Sequence, residues 1–307
     1  MPNAALKPRI KTMYELGYKQ KLNDVSSISL IMSYSEIRND FGQYRYSQAY
    51  PVSYTSYANI DFSTNKAFRA EYQYRGLKNF QMSANYTLLF ADGTGSNINS
   101  QGALLQANQP NLRSLYPLDV DFRHNFNTTF SYGYQGGKEY NGPVWFGKRI
   151  FANSDASFIV VARSGAPYTA NLSPTATALS ALGTVTRSQI KGNPYGSRMP
   201  WQLKADVNFQ HYHEFKKKQI KEDRINVTGM TVFFTVQNLF NSKIVNGVYA
   251  FSGLPNDDGY LSSPEGQQKI SQEVSQQSFI DLYNISVNNP FNYAAPRLMR
   301  LGVRFTL

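Results

Sequence analysis

The residues in this sequence best suited to chemistry are its three histidines and a few acidic positions. His211 and His213 lie two apart, which on a strand puts both imidazoles on one face and could hold a metal ion. They follow Phe209 in the same phase and precede the basic run Lys216-Lys-Lys-Gln-Ile-Lys-Glu-Asp-Arg224, so a place at a membrane interface is the stronger reading. His124 has Asp119 and Asp121 close by, but no serine or cysteine at the spacing of a catalytic set. Asn256-Asp-Asp-Gly259 has turn residues without the ligand spacing of a calcium loop. Cysteine is absent, which removes disulfides and thiolate metal sites. No catalytic, cofactor-binding or metal site is expected, and the chain reads as a non-enzyme. Tyr44, Tyr46, Tyr50, Tyr54 and Tyr57 share one polar segment and are candidate contacts for a sugar or peptide, because tyrosine offers both a stacking face and a hydroxyl. The plainer alternative is that tyrosine packs well in exposed loops.

The elements that must position these residues are strands. Among 307 residues, 14% are aromatic and only 17% charged, yet the mean hydropathy is −0.44. Aromatic richness with a polar average suits strands that are apolar on one side and hydrated on the other. No run approaches the roughly 18 apolar residues of a membrane helix, which excludes a helical membrane protein. The net charge of +11 is spread along the chain, and the one dense basic run reads as a solvated turn. A nucleic-acid partner is not expected.

The last twelve residues show the pattern most clearly. Met299, Leu301, Val303, Phe305 and Leu307 alternate with Arg300, Gly302, Arg304 and Thr306, giving one apolar and one cationic face. Arg300, Gly302, Phe305 and Leu307 also fit the polar, glycine and paired hydrophobic positions of the C-terminal assembly signal of outer-membrane β-barrels. The same alternation predicts about nine strands, near 12–20, 26–36, 66–75, 80–90, 122–134, 155–163, 201–215, 229–239 and 297–307. The strand at 80–90, at about 3.4 Å per residue and a 45° tilt, rises about 26 Å, close to the apolar band of such a barrel.

Short turns at 21–24 and 76–79 alternate with long polar segments at 38–57, 91–121 and from 164 to about 200, as in barrels with long loops on one side only. The final loop, 241–296, carries a predicted helix at 263–284. Ser262 and Glu265 would form its capping box, Pro264 would be its first residue, and Ile270, Val274, Phe279 and Leu282 would form its apolar stripe. By phase, Leu30, Phe68, Phe80, Met82, Leu88, Phe158, Leu203, Val303 and Phe305 should face lipid. Arg69, Glu71, Gln73, Asn85, Lys204 and Arg304 should face the lumen.

Several segments resemble the C-terminal barrel half of TonB-dependent outer-membrane receptors, especially the Bacteroidota group with a carboxypeptidase-regulatory-like domain. Leu6-Lys-Pro8 with Tyr14-Glu-Leu-Gly-Tyr18 is similar to a mid-barrel strand entry. Asp121-Phe-Arg-His-Asn-Phe126 and Ser164-Gly-Ala-Pro-Tyr-Thr169 resemble two loop-to-strand junctions, Val236-Gln-Asn-Leu-Phe-Asn241 the penultimate strand, and Pro296 to Leu307 the last. The motifs occur in family order along the chain.

The resemblance implies an all-β fold, the C-terminal nine or so antiparallel strands of a transmembrane barrel of about 22 strands. It implies a location in the cell outer membrane and energy-coupled uptake of a glycan, peptide or chelate. The implied partners are outer-membrane lipid and lipopolysaccharide, N-terminal barrel and plug segments outside this sequence, TonB through those segments, and a surface lipoprotein. Pro2-Asn-Ala-Ala-Leu-Lys-Pro-Arg9 lacks a secretory layout, so an export signal is also expected outside the sequence. The first and last strands should then pair with other segments rather than with each other. A non-transporting adhesion or scaffold barrel and a soluble all-β binding module are the alternatives.

Overall fold

The computed structural model describes residues 3–48, 51–106, 109–182, 189–215 and 229–306. Among the described residues nine long strands form one antiparallel sheet: β1 (Ile10–Asn23), β2 (Ser26–Tyr46), β3 (Tyr54–Leu77), β4 (Phe80–Gly93), β6 (His124–Tyr134), β7 (Ser154–Arg163), β10 (Gln202–Glu214), β11 (Gly229–Gln237) and β12 (Leu298–Thr306). They are paired in that order, each with its neighbour along the chain. Two-residue strands supplement them: β5 (Tyr116–Pro117) pairs antiparallel with the end of β4, and β8 (Pro167–Tyr168) pairs with β9 (Ser197–Arg198). Strands β1 and β12 each have one partner and are not paired with each other, so the sheet is open, a partial barrel.

The register sorts the side chains. Leu16, Met32, Phe68, Leu88 and His124 stand opposite one another across five strands. Met82, Phe130, Phe158, Val207, Val236 and Met299 continue the same face to the other edge. The other face carries the row Ser29, Glu71, Asn85, Asn127, Val161 and Lys204. Because side chains alternate along a strand, a slip of one residue anywhere would mix these two sets. Aromatic stacks border the apolar face. At the end with the longer connections His124 stacks on Tyr86 and Trp201, with ring centroids 6.2 and 5.7 Å apart, and Tyr132 meets Tyr134 at 5.3 Å at the other end. Phe80 to Leu88, which lie between those borders, rise about 19 Å at about 3.4 Å per residue and a 45° tilt.

Two expectations about connections are corrected. The loop expected at 38–57 is strand at residues 38–46 and 54–57, because β2 and β3 run on as a hairpin of 21 and 24 residues whose register reaches Tyr46 opposite Tyr54. Irregularities between Ile37 and Phe41, with Asn39 at φ +58°, break the phase of the alternation, and that break reads as a loop in the sequence. A short helix α1 (Gly102–Gln106) lies in the loop after β4, and the helix expected at 263–284 is two helices, α2 (Pro264–Gln272) and α3 (Gln276–Val287). Glu273 and Ser275 are extended and break the run. The N-cap is Ser263 rather than Ser262, its side chain accepting from Gly266 N. The apolar stripe fails with the break: Val274 and Leu282 are exposed, and Ile270, Tyr283 and Val287 are buried.

Candidate ligand-binding face

The longer connections gather at one end of the sheet, where the junction motifs build the framework. Asp121 is wholly buried, with Arg123 and Arg198 donating to its Oδ2 at 2.8 and 3.0 Å. Arg198 also donates to the Asp121 carbonyl at 2.6 Å. Arg198 reaches that point because Ser164-Gly-Ala-Pro-Tyr-Thr169 folds back: β8 pairs with β9, and Met199 N donates to Ala166 O. Gly165 is required there, since a Cβ would run into the Met199 carbonyl. Ser164 Oγ accepts from His124 N at 3.1 Å, so the two junction motifs are fastened to each other.

The Val236-Gln-Asn-Leu-Phe-Asn241 motif ends β11. Asn238 and Asn241 take left-handed backbones at φ +53° and +51°, which asparagine tolerates. The buried Asn238 side chain clasps Ser242 through both backbone groups, and its own N–H donates to Asp206. Asn256-Asp-Asp-Gly259 is a turn with occupied oxygens. Asp257 accepts from Gly259 N, and buried Asp258 accepts from Tyr260 N, Thr177 N and Tyr283 Oη. That aspartate joins the loop before β10 to the loop before β12. Burial, then the bond to Asp258, pushes the Tyr283 phenol upward. The loop after β4 is tied to the hairpin by Thr94, which donates to buried Asp61 at 2.9 Å and accepts through its carbonyl from Tyr116 and Gln101. Burial, with the charges of Asp61 and Tyr195 adding to it, pushes the Tyr116 phenol up to about 12, so Tyr116 remains a neutral donor in physiological buffers.

Two hollows result. A cleft of about 550 Å³ between the hairpin tip and the loop after β4 is lined by Tyr44, Arg45, Ser53, Asn111 and Arg113, among others. Arg45 donates to Ser53 Oγ at 2.8 Å. A second hollow, about 320 Å³, lies on the polar face under the last loop, beside the Lys204–Asp206 ion pair at 2.9 Å and Arg163, which donates to Gln202 at 2.6 Å. Both are lined by hydrogen-bonding and charged side chains. Among the described residues no group of three or more metal-ligating side chains converges.

The tyrosines do not act as one set. Tyr44, Tyr46 and Tyr54 share a face of the hairpin, with Tyr46 5.0 Å from Tyr44 and 5.1 Å from Tyr54 between centroids. Tyr57, opposite Gln43, is on the other face, and Tyr50 lies outside the described residues. His211 Nδ1 shares a hydrogen bond with Ser154 Oγ at 2.8 Å, and His213 lies against Phe215. Arg69, Glu71, Gln73, Asn85, Lys204 and Arg304 fall on the polar face. The nine apolar positions expected by phase to face lipid fall on the opposite one. Arg300, Gly302 and Phe305 lie on the edge strand; a Cβ on Gly302 would collide with the Phe233 ring, which occupies the space above it. Leu307 and the basic run 216–224 lie outside the described residues. The roles of Arg198, Asp258 and Thr94 had no signal in spacing, since each acts through a partner distant along the chain.

Comparison with known proteins agrees with this geometry. Residues 2–148 match the model of the outer membrane protein beta-barrel family. No curated protein matches the chain. The outer membrane transporter YddB from Escherichia coli matches at 11% identity with a TM-score of 0.51, over 78% of this chain and 30% of that one. The P. aeruginosa FpvA structure in complex with a ferric heterologous pyoverdine matches at 11% identity and a TM-score of 0.49, over 98% of this chain and 27% of that one. The chain thus spans less than a third of the solved chains it matches. An open antiparallel sheet with one apolar and one polar face, a fold similar to an outer membrane transporter and a match to the outer-membrane beta-barrel family model over just under half of the chain together support a partial barrel wall located in the outer membrane.

Proposed function

We propose that the chain is the C-terminal wall and loops of a TonB-dependent receptor of the Bacteroidota group with a carboxypeptidase-regulatory-like domain, importing a nutrient without altering it. On this reading the apolar face meets lipid, and Arg69, Glu71, Gln73, Asn85, Lys204 and Arg304 line the lumen. The long-loop end is extracellular, and β1 and β12 pair with strands of the remaining polypeptide, which also carries the plug and the TonB-binding segment. A surface lipoprotein sits over the loops. The observation that carries the reading is the pairing of a two-faced wall with a polar, arginine-bearing cleft at one end of it. The cleft suits a ligand with an anionic group and a flat sugar or aryl face, as in acidic glycans and chelates. In the complete receptor, Arg113→Ala and Tyr44→Ala should weaken binding and uptake of such a ligand at unchanged surface level. Full uptake by both variants would count against the cleft, and TonB-independent uptake would count against the receptor reading.

A further inference from the structure

The connection between β6 and β7, residues 135–153, lies at the end of the sheet where Asp24–Val25 and Lys78–Asn79 make two-residue turns, and it is built differently. Trp145 and Lys148 exchange backbone hydrogen bonds at 3.0 and 2.8 Å, closing a two-residue turn with φ +50° at Phe146 and +71° at Gly147. Asparagine, aspartate or glycine ordinarily takes the first of these positions, and a bulky ring there is an outlier. Nothing among the described residues shields that ring: Phe146 is 100% exposed and Trp145 66%. A strained backbone that holds two large apolar rings in solvent gains nothing within the chain, so the gain must come from outside it.

The side on which the turn sits says what that outside is. Tyr140 and Phe151, at the two ends of the connection, pack on Tyr134 with centroids 5.7 and 6.2 Å away. Tyr134 is in phase with Tyr132, whose partner on β4 is Phe80, so the connection is laid against the apolar face. Lys138, Lys148 and Arg149 are exposed beside the turn, with Glu139 as the nearby acid in sequence, which gives an excess of positive charge. Arg149 donates to Gly137 O and lies over the Tyr140 ring, which leaves the two lysines projecting from the loop. Aromatic rings with lysines around them, continuous with a lipid-facing surface, have the composition of a membrane interface.

We propose that the Trp145–Phe146 turn is a lipid anchor. It seats both rings in the interfacial layer of the leaflet at the short-turn end of the wall, the periplasmic leaflet, with Lys138 and Lys148 toward phospholipid phosphates. The proposal rests on the reading that the apolar face meets lipid, and the test separates the two. This chain has no cysteine, so single sites can be spin-labelled in the complete protein, with any cysteine elsewhere replaced, after reconstitution in phospholipid vesicles. Labels are placed by Phe146→Cys, by Lys148→Cys and, as the control on the apolar face, by Leu203→Cys. Collision with oxygen should exceed collision with a water-soluble nickel chelate at 203 and 146, with 146 shallower and 148 at headgroup depth. Lipid exposure at 203 with solvent exposure at both 146 and 148 would overturn the anchor alone. Shielding of 146 from both reagents would overturn it in favour of a periplasmic protein contact. Solvent exposure at 203 would overturn the barrel reading and the anchor with it.

Discussion

Asp121 is where the framework of the long-loop end is most easily broken. Its carboxylate is wholly buried and holds both Arg123 and Arg198, so Asp121→Ala removes the charged acceptor of both guanidinium groups and leaves Arg198 only its bond to the residue 121 carbonyl. Breaking a fully buried pair costs about 3–5 kcal/mol. Here the arginine side chains are 28% and 30% exposed, so water recovers part of the loss and a cost of about 2–3 kcal/mol follows. Because Arg198 is the anchor of β9 while the nine-strand ladder does not depend on it, the cost should fall on local opening of the loop between β7 and β10. At about 1.4 kcal/mol per factor of ten, cleavage after Lys191 by trypsin should accelerate roughly 30- to 150-fold under conditions where opening is fast. The assay is limited proteolysis of the complete protein in detergent, with fragment masses locating the cut. Cleavage at the wild-type rate would refute the assignment of Asp121 as the clasp, and cleavage spread through the strands would refute its local character.

An arginine at Val160, on the apolar face in mid-strand, should cost about 2–4 kcal/mol of folding stability in a bilayer, and one at Ser157 on the polar face much less; equilibrium refolding into vesicles compares them. Gly302→Ala must displace the Phe233 ring and should cost about 1–3 kcal/mol by overpacking, while Phe305→Ala should lower the amount of assembled protein in the outer membrane without changing ligand affinity in what does assemble. Asn238→Ala should cost about 1–2 kcal/mol through the lost clasp on Ser242 and the left-handed backbone, read as faster hydrogen exchange in the last loop. The Tyr116 phenol sits near 12 when folded and at 10.0 ordinarily, so the folded state keeps a proton that the unfolded loop gives up. The associated stability is fully present below pH 10, falls as pH rises from 10 to about 12, and Tyr116→Phe should abolish that fall in a pH series of loop proteolysis.

What could be read from the sequence was whatever repeats every two residues. The apolar and polar faces of β4 are written in Phe80 to Phe90, and the final strand in Met299 to Phe305, because a half-buried strand imposes its period on the side chains it carries. The strand pairing of 38–46 with 54–57 escaped because the irregularity at Asn39 shifts that phase midway, and an interrupted alternation looks the same as none. The helix break at Glu273 to Ser275 escaped because no proline or glycine marks it, and packing of Tyr283 on Asp258 settles where α3 lies. The site was legible only as motifs. Asp121 and Ser164-Gly-Ala-Pro-Tyr-Thr169 stand out, yet the bond from Arg198 that unites them crosses 77 residues and leaves no local trace. The side of the sheet on which the Trp145–Phe146 turn lies leaves no trace in the sequence either, since it is set by the register of β6 and the packing of Tyr140 and Phe151 on Tyr134.

If one face of this sheet meets lipid and the other does not, β4 should show it most directly, because it is flanked by strands on both sides. Single cysteines from Met82 to Leu88 in the complete protein, labelled with a small fluorophore in vesicles of brominated phospholipid, read the face position by position. Strong quenching at 82, 84, 86 and 88 with little at 83, 85 and 87 is the expected result. Uniform quenching, uniform protection, or alternation in the opposite phase would contradict it.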